Sequence, residues 1–347
     1  MKRITLCALF LTLFLLLSCG SGSASAEDPK TTFLNSIANL GKGFLDVFTS
    51  LSDMITGALG IKADTKKSDI GKYFNDIENT MTSVKKKLQD QVAKNGNYLK
   101  VKEVVDTFIT NTLDKIAEGA KTAAKGATGD VTIGNAVKNE DAKPADATSV
   151  NALVKGIKEM VGVVLKDKGN ADANGAKIED TERKSIGKLL GKGAADGTES
   201  HAAAASASIG AVTGADILKA IASSGDAAAG GVDIDQAKNA AEIAAAKADS
   251  KDLKADQKDA VVAAGIALRA MAKDGKFAAK NNEDKSANAV NGVAASAVGK
   301  TLSTLIIAIR NTVDSGLKTI NAALATVTQE DKFVDSTTPA DSTASGQ

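Results

Sequence analysis

Residues 68–88 read SDIGKYFNDIENTMTSVKKKL, with apolar side chains at Ile70, Phe74, Ile77, Met81, Val84 and Leu88. The steps alternate four and three, the spacing that gathers side chains on one face of an α-helix. Ser68 stands where an N-cap would open this helix, and Asn95-Gly96-Asn97 supplies residues suited to a left-handed closing turn. The segment before it repeats the rhythm. Asp28-Pro29 offers an N-cap and a first-turn proline, followed by Phe33, Ile37, Leu40, Phe44, Val47, Leu51 and Met54. The segment after it carries Val101, Val105, Phe108, Leu113 and Ile116 and is expected to end near Gly119. Three amphipathic helices joined by short polar breaks pack as antiparallel neighbours in a bundle.

Farther along, the stretches from Ala120 to Ala147 and from Lys166 to Ile209 are rich in Ala, Gly, Asp, Lys, Asn and Thr. Large apolar residues are sparse there, so loops or weakly packed helices are expected. Between them, Val150, Leu153, Val154, Ile157, Met160, Val161, Val164 and Leu165 mark a helix. Ile186, Leu189 and Leu190 suggest a short one, and Thr213 caps another that carries Ile217, Leu218 and Ile221. Asp233 to Lys247 is helical by its alanine propensity, and Val261, Val262, Ile266, Leu268 and Met271 belong to a helix that breaks at Asp274-Gly275. The last stripe runs Val290, Val293, Leu302, Leu305, Ile309, Val313, Leu317, Ile320, Leu324 and Val327. Unbroken over 285–327, it would span roughly 60 Å. Gly292, Gly299 and Gly316 are where a kink would fall. Period-two alternation is lacking, so the fold class is all-α.

The 347 residues include 43 Lys+Arg against 42 Asp+Glu, one His, two Cys and no Trp. This balance lacks the basic excess that neutralises phosphates, which argues against nucleic-acid binding. One His and two Cys are too few for a structural zinc site. Gly299-Lys300-Thr301 resembles the end of a phosphate loop, but Ala294 stands where its first glycine belongs, and the stretch is helical. His201 in Glu199-Ser200-His201-Ala202 reads as a solvated loop residue with no Ser-His-acid arrangement nearby. Asp233-Ile234-Asp235 lacks the glycine and terminal glutamate of a calcium loop. Lys85-Lys86-Lys87 reads as a solvated helix face, and Glu179-Asp180 as an acid pair with no pocket around it. No catalytic residue, metal ligand or cofactor is assigned, and the chain is expected not to be an enzyme.

The amino terminus carries the chemistry. Met1-Lys2-Arg3 precedes an apolar run from Ile4 to Leu17, too short to span a bilayer and suited to a signal peptide. It closes on Leu16-Leu17-Ser18-Cys19, which resembles a bacterial lipobox. In that reading the chain is cut before Cys19, whose sulfur takes a diacylglycerol and whose new amine is acylated. Two or three chains, at about 0.8 kcal/mol per buried CH₂, anchor firmly where one is marginal. Gly20 to Asp28 has the small, polar composition of a flexible tether.

Three longer segments carry a resemblance. They are LGKGFLDVFTS at 40–50, IALRAMAKDGKFA at 266–278 and LIIAIRNTVDSGLK at 305–318. The first resembles the amino-terminal signature of the variable large (variable major) proteins of relapsing-fever spirochaetes, and of the related variable major protein-like expressed antigen of Lyme spirochaetes. The second is similar to an internal segment that stays constant among variants of those antigens. The resemblance implies an elongated helical bundle whose N- and C-terminal helices pair near the membrane, with a loop-rich region distal to it. It also implies anchoring in the outer membrane, display at the cell surface, expression of one variant at a time, and host antibodies as partners. The organisation expected is a signal peptide over 1–18, a lipidated tether over 19–28, and a membrane-proximal helical part over 29–119. A central variable helical and loop region covers 120–284, a long helix 285–327, and a disordered tail 328–347. Two functions stay open: a non-catalytic antigen serving antigenic variation and evasion of host antibody, and an adhesin that binds a host ligand or receptor.

Overall fold

The computed structural model describes residues 29–50, 60–95 and 98–331. Helix α1 is Pro29–Ser50, α2 Lys67–Lys94 and α3 Leu99–Phe108, which passes through a π turn at Ile109–Leu113 into α4, Asp114–Ala124. Then come α5 (Ala147–Val164), α6 (Asp180–Ser185), α7 (Glu199–Ala211), α8 (Gly214–Ala222), α9 (Ala240–Ala244), α10 (Asp259–Met271) and α11 (Ser286–Leu324). Among the described residues the only strand-like pairings are four isolated bridges, and the fold is all-α.

The stripes are the core. Ile70, Phe74, Ile77, Met81, Val84 and Leu88 of α2 are buried, as are Leu40 and Phe44 of α1, with Phe33 and Ile37 packed against them. In the third stripe the step from Phe108 to Leu113 is five residues, one too many for an α-helix to keep on the same face. The π turn absorbs it by widening one turn, and Ile109, Leu113 and Ile116 all stay inside. Helix α11 is the central post, with α1, α3, α5, α7, α8 and α10 packed on it. It is long and apolar enough to cross a membrane by length and composition, but its apolar side, from Val290 to Leu324, lies in the core. Gly316 opens room on α11 for the Phe108 ring, which a Cβ there would meet at 2.0 Å. Helices α4 and α5 touch backbone to backbone, since a Cβ on Gly156 would stand 2.3 Å from the Gly119 carbonyl oxygen.

The 39 residues of α11 separate two poles by about 58 Å. At one pole meet the start of α1, the end of α2, the start of α3 and the end of α11. There Phe33 and Tyr98 pack edge to face at 5.7 Å, and Lys100 pairs with Asp331 at 2.9 Å. At the other, the start of α2, the end of α4 and the starts of α5 and α11 surround the loop 125–146.

Several local expectations are corrected. Helix α2 begins at Lys67, and Ser68 is not its cap: the Asp69 carboxylate accepts from the Lys66 N–H at 3.1 Å. The third helical stretch runs past Gly119 to Ala124, because Ala120 and Ala123 are buried against α5. Residues 199–211 form a well-buried helix, with Thr198 as cap and Ala202, Ala205, Ser208 and Ile209 inward; small side chains let it approach its neighbours closely. The Ala-rich stretch 233–247 is helical only over Ala240–Ala244, with a 3₁₀ turn at Ile234–Gln236. Two expectations hold: Ile186, Leu189 and Leu190 are buried in a short 3₁₀ helix following α6, and Thr213 caps α8, accepting from the Asp216 N–H at 3.2 Å. The left-handed closing turn proposed after α2 is not formed at Asn95, whose φ is −116°. Leu51, Met54, Gly96 and Asn97 lie outside the described residues.

Candidate functional site

The loop 125–146 has no regular structure, yet its backbone is held at both edges. Val131 accepts from the Lys67 N–H at 2.9 Å, and Ile133 donates to Thr65 at 2.8 Å. The Asn291 side chain accepts from the Ala136 N–H at 2.7 Å and donates to its carbonyl at 3.1 Å. Lys143 and Lys276 exchange two backbone bonds of 3.1 and 3.0 Å. Ile133, Ala136, Ala142 and Ala145 are pegged inward, while Thr128–Val131, Val137, Asn139–Asp141 and Lys143-Pro144 face solvent. Such a loop presents a defined surface on few inward contacts, so its outward residues can change at little cost in stability.

Beneath it lies the segment 266–278. Ile266 to Ala272 are buried throughout, as are Phe277 and Ala278, and only Lys273 and Asp274 stand exposed. Arg269 is fully buried; Nη1 donates to the Ala244 and Ala246 carbonyls at 3.0 Å each, and Nε to Lys276 at 2.9 Å. Lys67, also buried, donates from Nζ to the carbonyls of Arg269, Ala270 and Ala272 at 3.1, 2.6 and 2.7 Å. These are carbonyls at the C-terminus of α10, where a cation is favoured. Burial first, and then the Arg269 charge, bring the Lys67 ammonium down to about 7, against a pull upward from Asp274. Burial brings Arg269 down to about 9. The backbone N–H of Lys67 holds the outer loop while its ammonium holds α10, so one residue ties the exposed surface to the occluded segment.

A second buried polar group joins α6, α7 and α10. Asp259 accepts from Arg183 and from the Ser208 hydroxyl (2.7 Å), and its other oxygen accepts from the Ala176 N–H at 2.8 Å. Neither polar cluster was found from the sequence. Lys67 follows Lys66, and nothing in its local sequence sets it apart. Arg269 had a signal, since α10 is apolar or small on every side, the mark of a helix buried all round.

The sequence candidates are scattered. Lys300 lies within α11 and donates to the Ile209 carbonyl at 2.8 Å, and buried Thr301 donates back to Ala297 at 2.7 Å, so no phosphate cradle forms. His201 is not in a loop: it occupies the first turn of α7, where Nδ1 accepts from the Thr198 N–H at 3.3 Å. Burial, then Lys188, hold its pKa below the ordinary value. Asp233 pairs with Lys251 at 2.7 Å and Lys247 at 3.5 Å, and Asp235 with Lys251 at 3.8 Å. Lys85 pairs with Asp114 at 2.8 Å, and Glu179-Asp180 opens α6. Among the described residues no three His, Cys, Asp or Glu side chains are grouped to hold a metal. Cys19, its signal peptide and its tether lie outside the described residues.

Residues 44–324 match the Borrelia lipoprotein family. The chain is 63% identical to Variable large protein 4 and 64% identical to Variable large protein 17, both of Borrelia hermsii, covering 98% and 100% of this chain and 98% of each relative. Its fold is similar to the crystal structure of the Lyme disease variable surface antigen VlsE of Borrelia burgdorferi, with a TM-score of 0.73 at 36% identity, over 85% of this chain and 100% of that one. VlsE is named as a surface antigen and the two Borrelia hermsii relatives as variable large proteins; none of the three is named as an enzyme. Matched end to end at this identity, the chain belongs to the Borrelia lipoprotein family and, within it, to the variable large proteins.

Proposed function

We propose that this protein is a surface lipoprotein of the outer membrane, held by acyl chains on Cys19 and serving antigenic variation: a non-catalytic coat, one variant at a time, that evades host antibody. The observation that carries the reading is the division of the molecule between an occluded frame and an exposed, irregular surface. The segments 266–278 and 305–318 contribute Arg269, Met271, Phe277, Ile309, Val313 and Leu317 to the core. Around loop 125–146 the outward side chains make few packing contacts, so rewriting them alters what an antibody meets while the bundle stands. The relatives, named for variability and surface antigenicity, favour this reading over an adhesin. It is tested with antiserum raised against the folded protein. The serum should bind intact cells expressing this variant and fail on cells expressing another; equal binding to both refutes it. Protease treatment of intact cells should remove the chain, and its survival argues for an internal location.

A further inference from the structure

At the pole where α1 and α3 begin, Leu34 and Leu99 are 46% and 45% exposed. Each directly follows one of the two rings, Phe33 and Tyr98, that lock this pole together. Lys94, at the end of α2, and Lys100, directly after Leu99, are exposed at the same pole. Lys100 shares Asp331, yet its side chain keeps 53% of its surface in solvent. Cys19 joins this pole at Pro29 through ten peptide links, whose fully extended limit is about 35 Å. Leu34 and Leu99 therefore lie within a tether's length of any bilayer that holds Cys19, whereas loop 125–146 stands a further 58 Å or so up α11.

We propose that this pole rests on the lipid surface: Leu34 and Leu99 enter the headgroup region, and Lys94 and Lys100 meet its phosphates. The inference rests on lipidation of Cys19, as read above. Two leucines and two lysines would not hold a free protein on a membrane, because the apolar area is small. The tether changes the balance. It makes the contact intramolecular and supplies a high effective concentration, so weak contacts suffice. Lysine stems also lie along apolar surface while their ammonium groups reach the headgroups. The contact would orient the bundle upright, which an acyl anchor on a chain of ten residues does not do by itself.

The chain contains no tryptophan, so a single introduced indole reports on its own position. Leu99→Trp and Leu34→Trp probe the pole, and Val137→Trp, at a site 48% exposed in loop 125–146, is the control with the same bias toward interfaces. Each protein, expressed with its own signal peptide and purified from the membranes of the producing cells, is reconstituted into phosphatidylcholine–phosphatidylglycerol vesicles containing brominated lipid, with its helicity checked by circular dichroism. The expected result is that all three float with the vesicles, that emission from positions 34 and 99 falls and shifts to the blue, and that emission from 137 is unchanged. Flotation with no loss at 34 and 99, or equal loss at 137, overturns the proposal while leaving the anchor intact. Failure of the wild-type protein to float refutes lipidation of Cys19, and the proposal with it.

Discussion

Replacing Lys67 by methionine tests the buried clamp between loop 125–146 and α10. The ammonium falls from 10.5 in the free chain to about 7 in the fold, with burial the larger cause and Arg269 the second. That gap corresponds to about 5 kcal/mol of pH-dependent stability. The sign follows from proton counts. Between about pH 7 and 10.5 the unfolded chain binds a proton that the native state lacks, so stability rises with pH across that window and is flat on either side. From pH 7 to 9 the share is about 2 kcal/mol. Urea unfolding of wild type and Lys67→Met at these two pH values, followed by circular dichroism, isolates it, since the other titrating groups are common to both proteins. Wild type should gain about 2 kcal/mol on the variant between pH 7 and 9. At pH 7 the variant itself should be about 3 kcal/mol less stable, because the carbonyls of Arg269, Ala270 and Ala272 lose their donor. Parallel pH dependence of the two proteins would refute the reasoning, for it would mean that those three carbonyls keep Lys67 charged throughout.

Gly156→Ala drives a methyl into the Gly119 carbonyl and the Ala123 backbone of α4, and thermal melting should show a loss of about 2 kcal/mol. Gly292→Ala, where a Cβ meets nothing within 4 Å, should instead raise stability by about 0.5–1 kcal/mol in the same assay. Asp259→Ala leaves Arg183 without its counter-charge, with only the Ala176 carbonyl as partner, and Ser208 without its acceptor, and chemical denaturation should register a cost of about 3–5 kcal/mol; a change under 1 kcal/mol would show that the guanidinium finds water. Antiserum raised to the peptide 266–278 should bind the urea-unfolded protein and fail on the folded one in an equilibrium capture assay, since in the fold only Lys273 and Asp274 of that segment stand exposed.

What the sequence determined by itself is whatever rests on local periodicity. The four-and-three spacing of Ile70 to Leu88 and of Leu302 to Leu324 fixes helices and the faces they bury, because 3.6 residues per turn allows no other way to keep those side chains together. The extra residue between Phe108 and Leu113 stands in the sequence, but the stripe reads straight through it, and the structure shows that a π turn takes it up. Where side chains are small, the rhythm disappears. Residues 199–211 and 240–244 are helical through caps and close packing on their neighbours, whereas most of the equally Ala-rich stretch 233–247 is not; propensity is a fraction of a kcal/mol per residue and tertiary contacts override it. Only the tertiary structure could place Lys67 on the end of α10, 202 residues away, or Arg183 on Asp259. Nothing local distinguishes a lysine whose ammonium will be buried from one that will be solvated; the difference lies in whether a distant helix end brings unsatisfied carbonyls to it.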